Sequence, residues 1–295
     1  MQVKTIRKNI EKKMEQWLQT ITDEKLRAAV KNSLLVSGGC ITSMFLNEEI
    51  NDYDVYLKDR EVLTKLTEYY ANSYLNIRVL DGFYKERYLA ELPDGVDNSE
   101  SRVVKNLKKD QVKIFLRDNV GGMRVNENIV EEDLKYLPVF FSPNAVSLSN
   151  NIQIITRFFG DNEEIHKNFD FVHATNYFTC EKGLVTNKEA LESTLTKQLK
   201  YQGSLYPLTS IIRMKKFVKR NWNINAGELL KIMFQISELD LHDYDVLEDQ
   251  LIGIDVAYFT QLIEILRSIP DIKITSGYLN VIIDKVFNDS EDTGI

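Results

Sequence analysis

Leu34-Leu35-Val36-Ser37-Gly38-Gly39 and Asp52-Tyr53-Asp54-Val55-Tyr56-Leu57, separated by residues 40–51, decide how this sequence is read. The first stretch is an apolar run ending in two glycines. That is the pattern of a buried strand entering a tight turn, with a short helix over 40–47. Glycine has no Cβ, so backbone N–H groups can approach an anion closely, and the N-terminus of the next helix adds favourable potential for phosphate. In the second stretch two acidic residues stand two apart on a strand, so they share one face. Two such carboxylates can hold divalent ions about 3.5–4 Å apart, where they stabilise the attacking and leaving oxygens of a phosphoryl transfer. Each half is common alone; their order and spacing carry the reading.

Working outward, residues 4–31 read as two helices, the second starting near Thr22-Asp23. Residues 60–73 read as a helix with apolar positions at Val62, Leu63 and Leu66. From about 75 to 180 the pattern is mostly β. A strand over 75–80 ends at the turn Asp81-Gly82. Runs at 111–117 and 123–125 flank Asp118-Asn119-Val120-Gly121-Gly122, read as a plain hairpin. Strands are expected over 136–141, 145–148 and 152–159, a short helix over 161–168, and another strand over 169–178. Residues 93–110 are polar and charged and read as an insertion.

After Gly183 the period turns helical. Thr186-Asn187-Lys188-Glu189 reads as a capping box opening a helix with Leu191, Leu195 and Leu199. Pro207 precedes a second helix with Leu208, Ile211, Ile212, Met214 and Val218, and Asn225 with Glu228 caps a third. Further helices are expected to about 288. The fold class is therefore α+β: a mixed sheet with flanking helices over 1–183, with a β-rich insertion at about 75–145, and an all-α domain over 184–295.

Composition excludes several classes. Of the 295 residues 43% are hydrophobic and 27% charged, ordinary for a globular chain, and 14 Tyr with 14 Phe exclude a disordered one. Apolar runs are too short for a membrane span, and residues 1–22 are amphipathic and charged rather than a signal peptide. A cytoplasmic protein without membrane contact is expected. Two cysteines, Cys40 and Cys180, and three histidines support neither a disulfide framework nor a zinc site. The net charge of −7 opposes broad charge-driven binding to duplex nucleic acid. It leaves room for a local basic face, and Arg213, Lys215, Lys216, Lys219 and Arg220 crowd one helix.

Together the two opening stretches resemble the nucleotidyltransferase superfamily of DNA polymerase beta, most closely its poly(A) polymerase and tRNA CCA-adding branch. That branch has an apolar strand, Gly-Gly, an interval of the same length, and Asp-x-Asp followed by apolar residues. The resemblance covers residues 33–57. It implies a nucleotidyltransferase-like sheet that transfers a nucleoside monophosphate from an NTP to a hydroxyl and releases pyrophosphate. Mg²⁺ or Mn²⁺ would be the cofactor, and an RNA or tRNA 3′ end the favoured acceptor. The rivals are nucleotidylation of a protein or small molecule, and an inactive protein that keeps the fold for assembly.

The resemblance also implies a third carboxylate on a neighbouring strand. Asp170 is favoured over Asp81, because a strand, a short helix and Phe169-Asp170-Phe171 resemble the corresponding segment of viral and phage-encoded members. The implied catalytic and metal-binding set is Asp52, Asp54 and Asp170. Gly38 and Gly39 would take phosphate, with Thr42 and Ser43 standing where the branch carries Arg-Asp. Arg213 and Lys216, neighbours at i and i+3, are candidates to touch phosphate or base. The base-reading Glu-Asp-x-x-Arg motif of CCA-adding enzymes is missing, which leaves the nucleotide preference open. Of the remaining candidates, Asp243 and Asp245 read as a surface loop, His166 as a helix-surface residue and His173 as packing. Arg157 faces either a nucleotide or solvent.

Overall fold

Local chemistry places the first elements. In the computed structural model, which describes residues 1–72, 77–81, 112–116, 123–124, 135–142, 144–243 and a few later positions, α1 (Val3–Leu18) buries Ile6, Ile10, Met14 and Trp17 along one stripe. α2 (Glu24–Ser33) starts where the Asp23 side chain accepts the Lys25 and Leu26 N–H groups. It runs into β1 (Leu34–Ser37), buried throughout. Then come α3 (Gly39–Leu46), β2 (Tyr53–Leu57) and α4 (Arg60–Ala71), the last capped by Asp59.

Later strands build one sheet around this unit. They are β5 (Met123–Arg124), β6 (Pro138–Ser142), β7 (Ala145–Leu148), β8 (Ile152–Ile155), β9 (Tyr177–Thr179) and β10 (Gly183–Val185). Among the described residues the order is β10-β9-β1-β2-β8-β7-β6-β5. β8 runs parallel to β2 and β1 antiparallel to it, so the sheet is mixed as expected. β3 (Ile77–Asp81) and β4 (Val112–Leu116) pair in a separate two-stranded sheet.

Alternation gives the large sheet two unlike faces. On one, Leu34, Val36, Val55, Leu57, Ile152, Ile154 and Phe178 join the inward residues of α1 to α4 in the main core. On the other, Leu35 and Tyr56 meet Ile165, Ile155, Phe158, Phe169 and Tyr177. Ile165 belongs to α5 (Asn162–His166), capped by Asp161. The second face also carries Ser37 and Asp54, directly paired across β1 and β2.

Three expected segments differ. The runs at 111–117 and 123–125 do not form a hairpin with each other: β4 pairs with β3, and β5 with β6. The turn 118–122 and the insertion 93–110 lie outside the described residues. The strand expected over 169–178 is a bend at Asp170, a 3-10 turn (Val172–Thr175) and then β9. Helix α6 (Lys188–Thr196) is capped by Asn187 rather than Thr186, leaves Leu195 68% exposed, and ends before Leu199.

The chain divides into two compact units, Met1–Lys197 and Gln198–Ile295. The boundary falls beyond 183 because β10 pairs with β9 and α6 packs on α3 and the 3-10 turn. In the second unit α7 (Pro207–Lys219), with Pro207 at its first turn, and α8 (Ala226–Ser237), capped by Asn225, supply the expected helices. They are accompanied by a short parallel pair, β11 (Gln198–Leu199) with β12 (Asn223–Ile224), that the helical period does not announce. The helices expected beyond about 250 lie outside the described residues. Among those described, no helix is long and apolar enough to cross a membrane.

Candidate functional site

The two glycines after β1 differ physically. Gly38 has φ +92°, and a Cβ built on it would stand 2.8 Å from Asp54 Oδ2. Both facts require glycine, since L side chains rarely adopt that φ. Gly39 begins α3, is exposed, and a Cβ there would meet nothing within 4 Å. The turn is thus pressed against a carboxylate on one side and open on the other.

Asp54 is half-buried in β2, with Ser37 as its partner in β1 and Gln153 as its partner in β8. Asp52 directly precedes the strand at the surface, and desolvation there raises its pKa. Tyr53, between them, packs against the main core, with Lys13 Nζ 5.3 Å from its ring centroid. Anchoring Tyr53 inward aims the flanking positions 52 and 54 the other way. Cys40 is buried beside the turn, and its thiol pKa is pushed far up by burial and by the Asp54 charge, so it stays protonated.

The other candidates are spread out. Asp170 is buried at its bend, where it is joined to a partner, and not on a strand beside β2. Asp81 ends β3, in a different sheet from β2. Thr42 is buried and donates its hydroxyl to the His173 carbonyl at 3.0 Å, tying α3 to the 3-10 turn; Ser43 is also buried. Arg213 and Lys216 lie on α7 in the second unit, Lys216 exposed. Arg157 is buried rather than solvent-facing, with its guanidinium 5.7 Å from the Phe158 ring centroid. His173 is buried and stacks on Phe171, as packing requires. Asp243 sits in the loop after α8, and Asp245 lies outside the described residues.

The resemblance implies a divalent cation. Among the described residues no three His, Cys, Asp or Glu side chains are gathered as a metal-holding group. Mg²⁺ is commonly held by one or two carboxylates together with substrate phosphates. The Asp52 and Asp54 pair beside an open glycine turn fits that smaller donor set.

Two residues on this face escape a reading by residue type. His166, expected on a helix surface, is half-buried, with Nε2 2.9 Å from Ser37 Oγ. Gln153 stands beside Asp54 in the neighbouring parallel strand, its amide donating to Ser147 Oγ at 3.4 Å. The position of Ser37 just before the glycines was a usable signal, whereas Gln153 is identified only by strand register.

A strand, a Gly-Gly turn into a helix and an Asp-x-Asp strand on a mixed sheet are the arrangement that the sequence resemblance implies. The chain belongs to the Gabija anti-defense 2 family, whose profile matches residues 8–197. Gabija anti-defense 2 of Bacillus phage SPbetaL7 is 22% identical over 284 residues, covering 92% of this chain and 56% of the relative. The chain thus spans little more than half the length of that relative. Among solved structures, the Thermotoga maritima CCA-adding enzyme complexed with tRNA is 12% identical with a TM-score of 0.39, covering 95% of this chain and 68% of that one. The Bacillus stearothermophilus CCA-adding enzyme in complex with CTP is 11% identical with a TM-score of 0.34, covering 78% and 47%.

Proposed function

We propose that this protein counters the Gabija defense by transferring a nucleoside monophosphate from an NTP to a hydroxyl on a Gabija component. The observation that carries the chemistry is the closeness of the glycine turn to Asp54: a Cβ on Gly38 would stand 2.8 Å from its carboxylate. The exposed start of α3 at Gly39 would then offer backbone N–H donors near a carboxylate, the juxtaposition that phosphoryl transfer needs. Asp52 and Asp54 would hold Mg²⁺ or Mn²⁺, and the Gly38-Gly39 backbone would take the triphosphate. The ion, when bound, supplies charge neutralisation at the phosphates. The chain's own part is to orient the nucleotide and present the acceptor hydroxyl. Asp170 as an additional carboxylate, and Arg213 and Lys216 as phosphate or base contacts, belong to the same proposal.

The family's name points to a defense component as acceptor, in place of the RNA 3′ end that the sequence resemblance favours. The net charge of −7 agrees, since it offers no broad attraction to a polyanion. The test is incubation with each α-labelled NTP and Mn²⁺, with Gabija proteins, total protein and total RNA as separate acceptors. Label on a Gabija protein, lost with Asp54→Asn, is expected. A labelled RNA ladder would keep the chemistry and change the acceptor. No transfer to any acceptor would leave the inactive, fold-retaining rival as the better account.

A further inference from the structure

Ser37 is fully buried, and its hydroxyl has three polar neighbours. Oγ lies 2.9 Å from the Asn176 carbonyl, 3.1 Å from the Ala174 carbonyl and 2.9 Å from His166 Nε2. Carbonyl oxygens only accept, and a hydroxyl has one hydrogen. With that hydrogen on a carbonyl, Oγ accepts from His166 Nε2–H, the arrangement of the Nε2-protonated tautomer. The Ala174 carbonyl also accepts the Gly38 N–H at 3.1 Å. A continuous set of bonds therefore runs from His166 through Ser37 to the backbone of the glycine turn.

The His166 ring is itself held in place. Phe169 and Tyr177 lie against it, with centroids 5.1 and 5.7 Å away. Burial in that setting pushes its pKa down to about 4, so the ring is neutral at pH 7. Ser37 is the strand partner of Asp54, and Gly38, the next residue, already stands at the limit of approach to the Asp54 carboxylate. A small displacement of Ser37 would move the turn against that carboxylate.

We infer that His166 is a positioning residue for the glycine turn: by donating to Ser37 it fixes where the Gly38-Gly39 backbone stands relative to Asp54. What the turn binds rests on the nucleotidyltransferase reading; the positioning itself does not. His166→Phe keeps an aromatic ring in the cluster and removes the donor, while His166→Gln keeps an N–H donor in reach.

The test measures ATP binding by calorimetry with Mn²⁺, Gly38 amide exchange, and the imidazole tautomer by nitrogen NMR. His166→Phe should lower ATP affinity at least fivefold and speed Gly38 exchange, and His166→Gln should recover most of both. Wild-type affinity and protection in a folded His166→Phe protein would overturn the inference. So would a His166→Gln protein no better than His166→Phe, because packing alone would then explain the loss, or an Nδ1–H tautomer in the wild type. If His166→Phe fails to fold, Ser37→Ala removes the acceptor without touching the aromatic cluster; unchanged Gly38 protection there is equally fatal. A wild-type protein that binds no NTP sinks the nucleotide reading alone, and amide exchange with the tautomer then decides the positioning role.

Discussion

Gly38 and Gly39 look interchangeable in the sequence and are not. Gly38→Ala places a Cβ at positive φ and within 2.8 Å of Asp54 Oδ2, so it should cost about 1–3 kcal/mol of stability, read as a lowered Tm. Gly39→Ala meets no protein atom within 4 Å, so its Tm should match the wild type. Its NTP affinity should nonetheless fall, because the added methyl occupies the side from which phosphate would approach. Unchanged affinity in both folded variants would remove the turn from nucleotide binding. Asp52 and Asp54 allow a comparable separation of stability from activity. Partial desolvation raises the Asp52 pKa, meaning that the charged form is disfavoured in the fold. Asp52→Asn should therefore leave thermal stability at pH 7 unchanged or slightly raised while transfer is lost, and Asp54→Asn should also lose transfer. Turnover near the wild-type rate with Mg²⁺ by either variant would show that these carboxylates do not hold the ion.

Elements whose cause is local could be read from the sequence, and those decided by distant partners could not. β1, the glycine turn, α3 and β2 follow from an apolar run, glycine chemistry and alternation, and Asp23 and Asn225 announce their helices by capping. The segment 169–178 has strand-forming residues, yet its middle closes into a 3-10 turn that is largely buried, a decision made by packing that no window of sequence contains. β4 and β5 found partners on either side of them rather than each other for the same reason. At the site, Gly38 and Asp54 were visible as a motif, whereas the His166 bond to Ser37 joins residues 129 apart in the chain. α5 spans only Asn162–His166, too short for a period to say which face turns inward. The burial of that face has a consequence for pH. The His166 pKa is about 4 in the fold against 6.5 for a free side chain. Above pH 6.5 both states are neutral and the site makes no demand. Between 6.5 and 4 the unfolded chain gains a proton that the folded one refuses, so stability falls as pH drops, by on the order of 2–4 kcal/mol at the acid end. Denaturant titrations from pH 7 to 4 should show this slope in the wild type and a shallower one in His166→Phe; equal slopes would mean that His166 is not the group responsible.

At the scale of the whole molecule, the change of period after 183 announces the helix Lys188–Thr196, and the first unit ends beyond that helix, at Lys197. Gly183–Val185 forms β10 against β9, and α6 buries Ala190, Ser193 and Thr194 against the same unit. The family match likewise closes at residue 197, where the compact unit closes. A helix following a sheet belongs to that sheet's unit when its buried face has nowhere else to pack. Fragments test this directly. Residues 1–197 should give a monomer with one cooperative thermal transition. Residues 1–183 lack α6 and most of β10, which leaves β9 as an open edge of unpaired N–H and C=O groups over an uncovered apolar patch, and such edges recruit other chains. That fragment should aggregate or melt without cooperativity by size-exclusion chromatography and calorimetry. Equal behaviour of the two would move the boundary back to 183. The longer fragment also reads the contribution of the second unit. If Arg213 and Lys216 touch phosphate or base, residues 1–197 should bind ATP several-fold more weakly than the full chain. Equal affinity would confine nucleotide binding to the first unit and withdraw those two residues from the site.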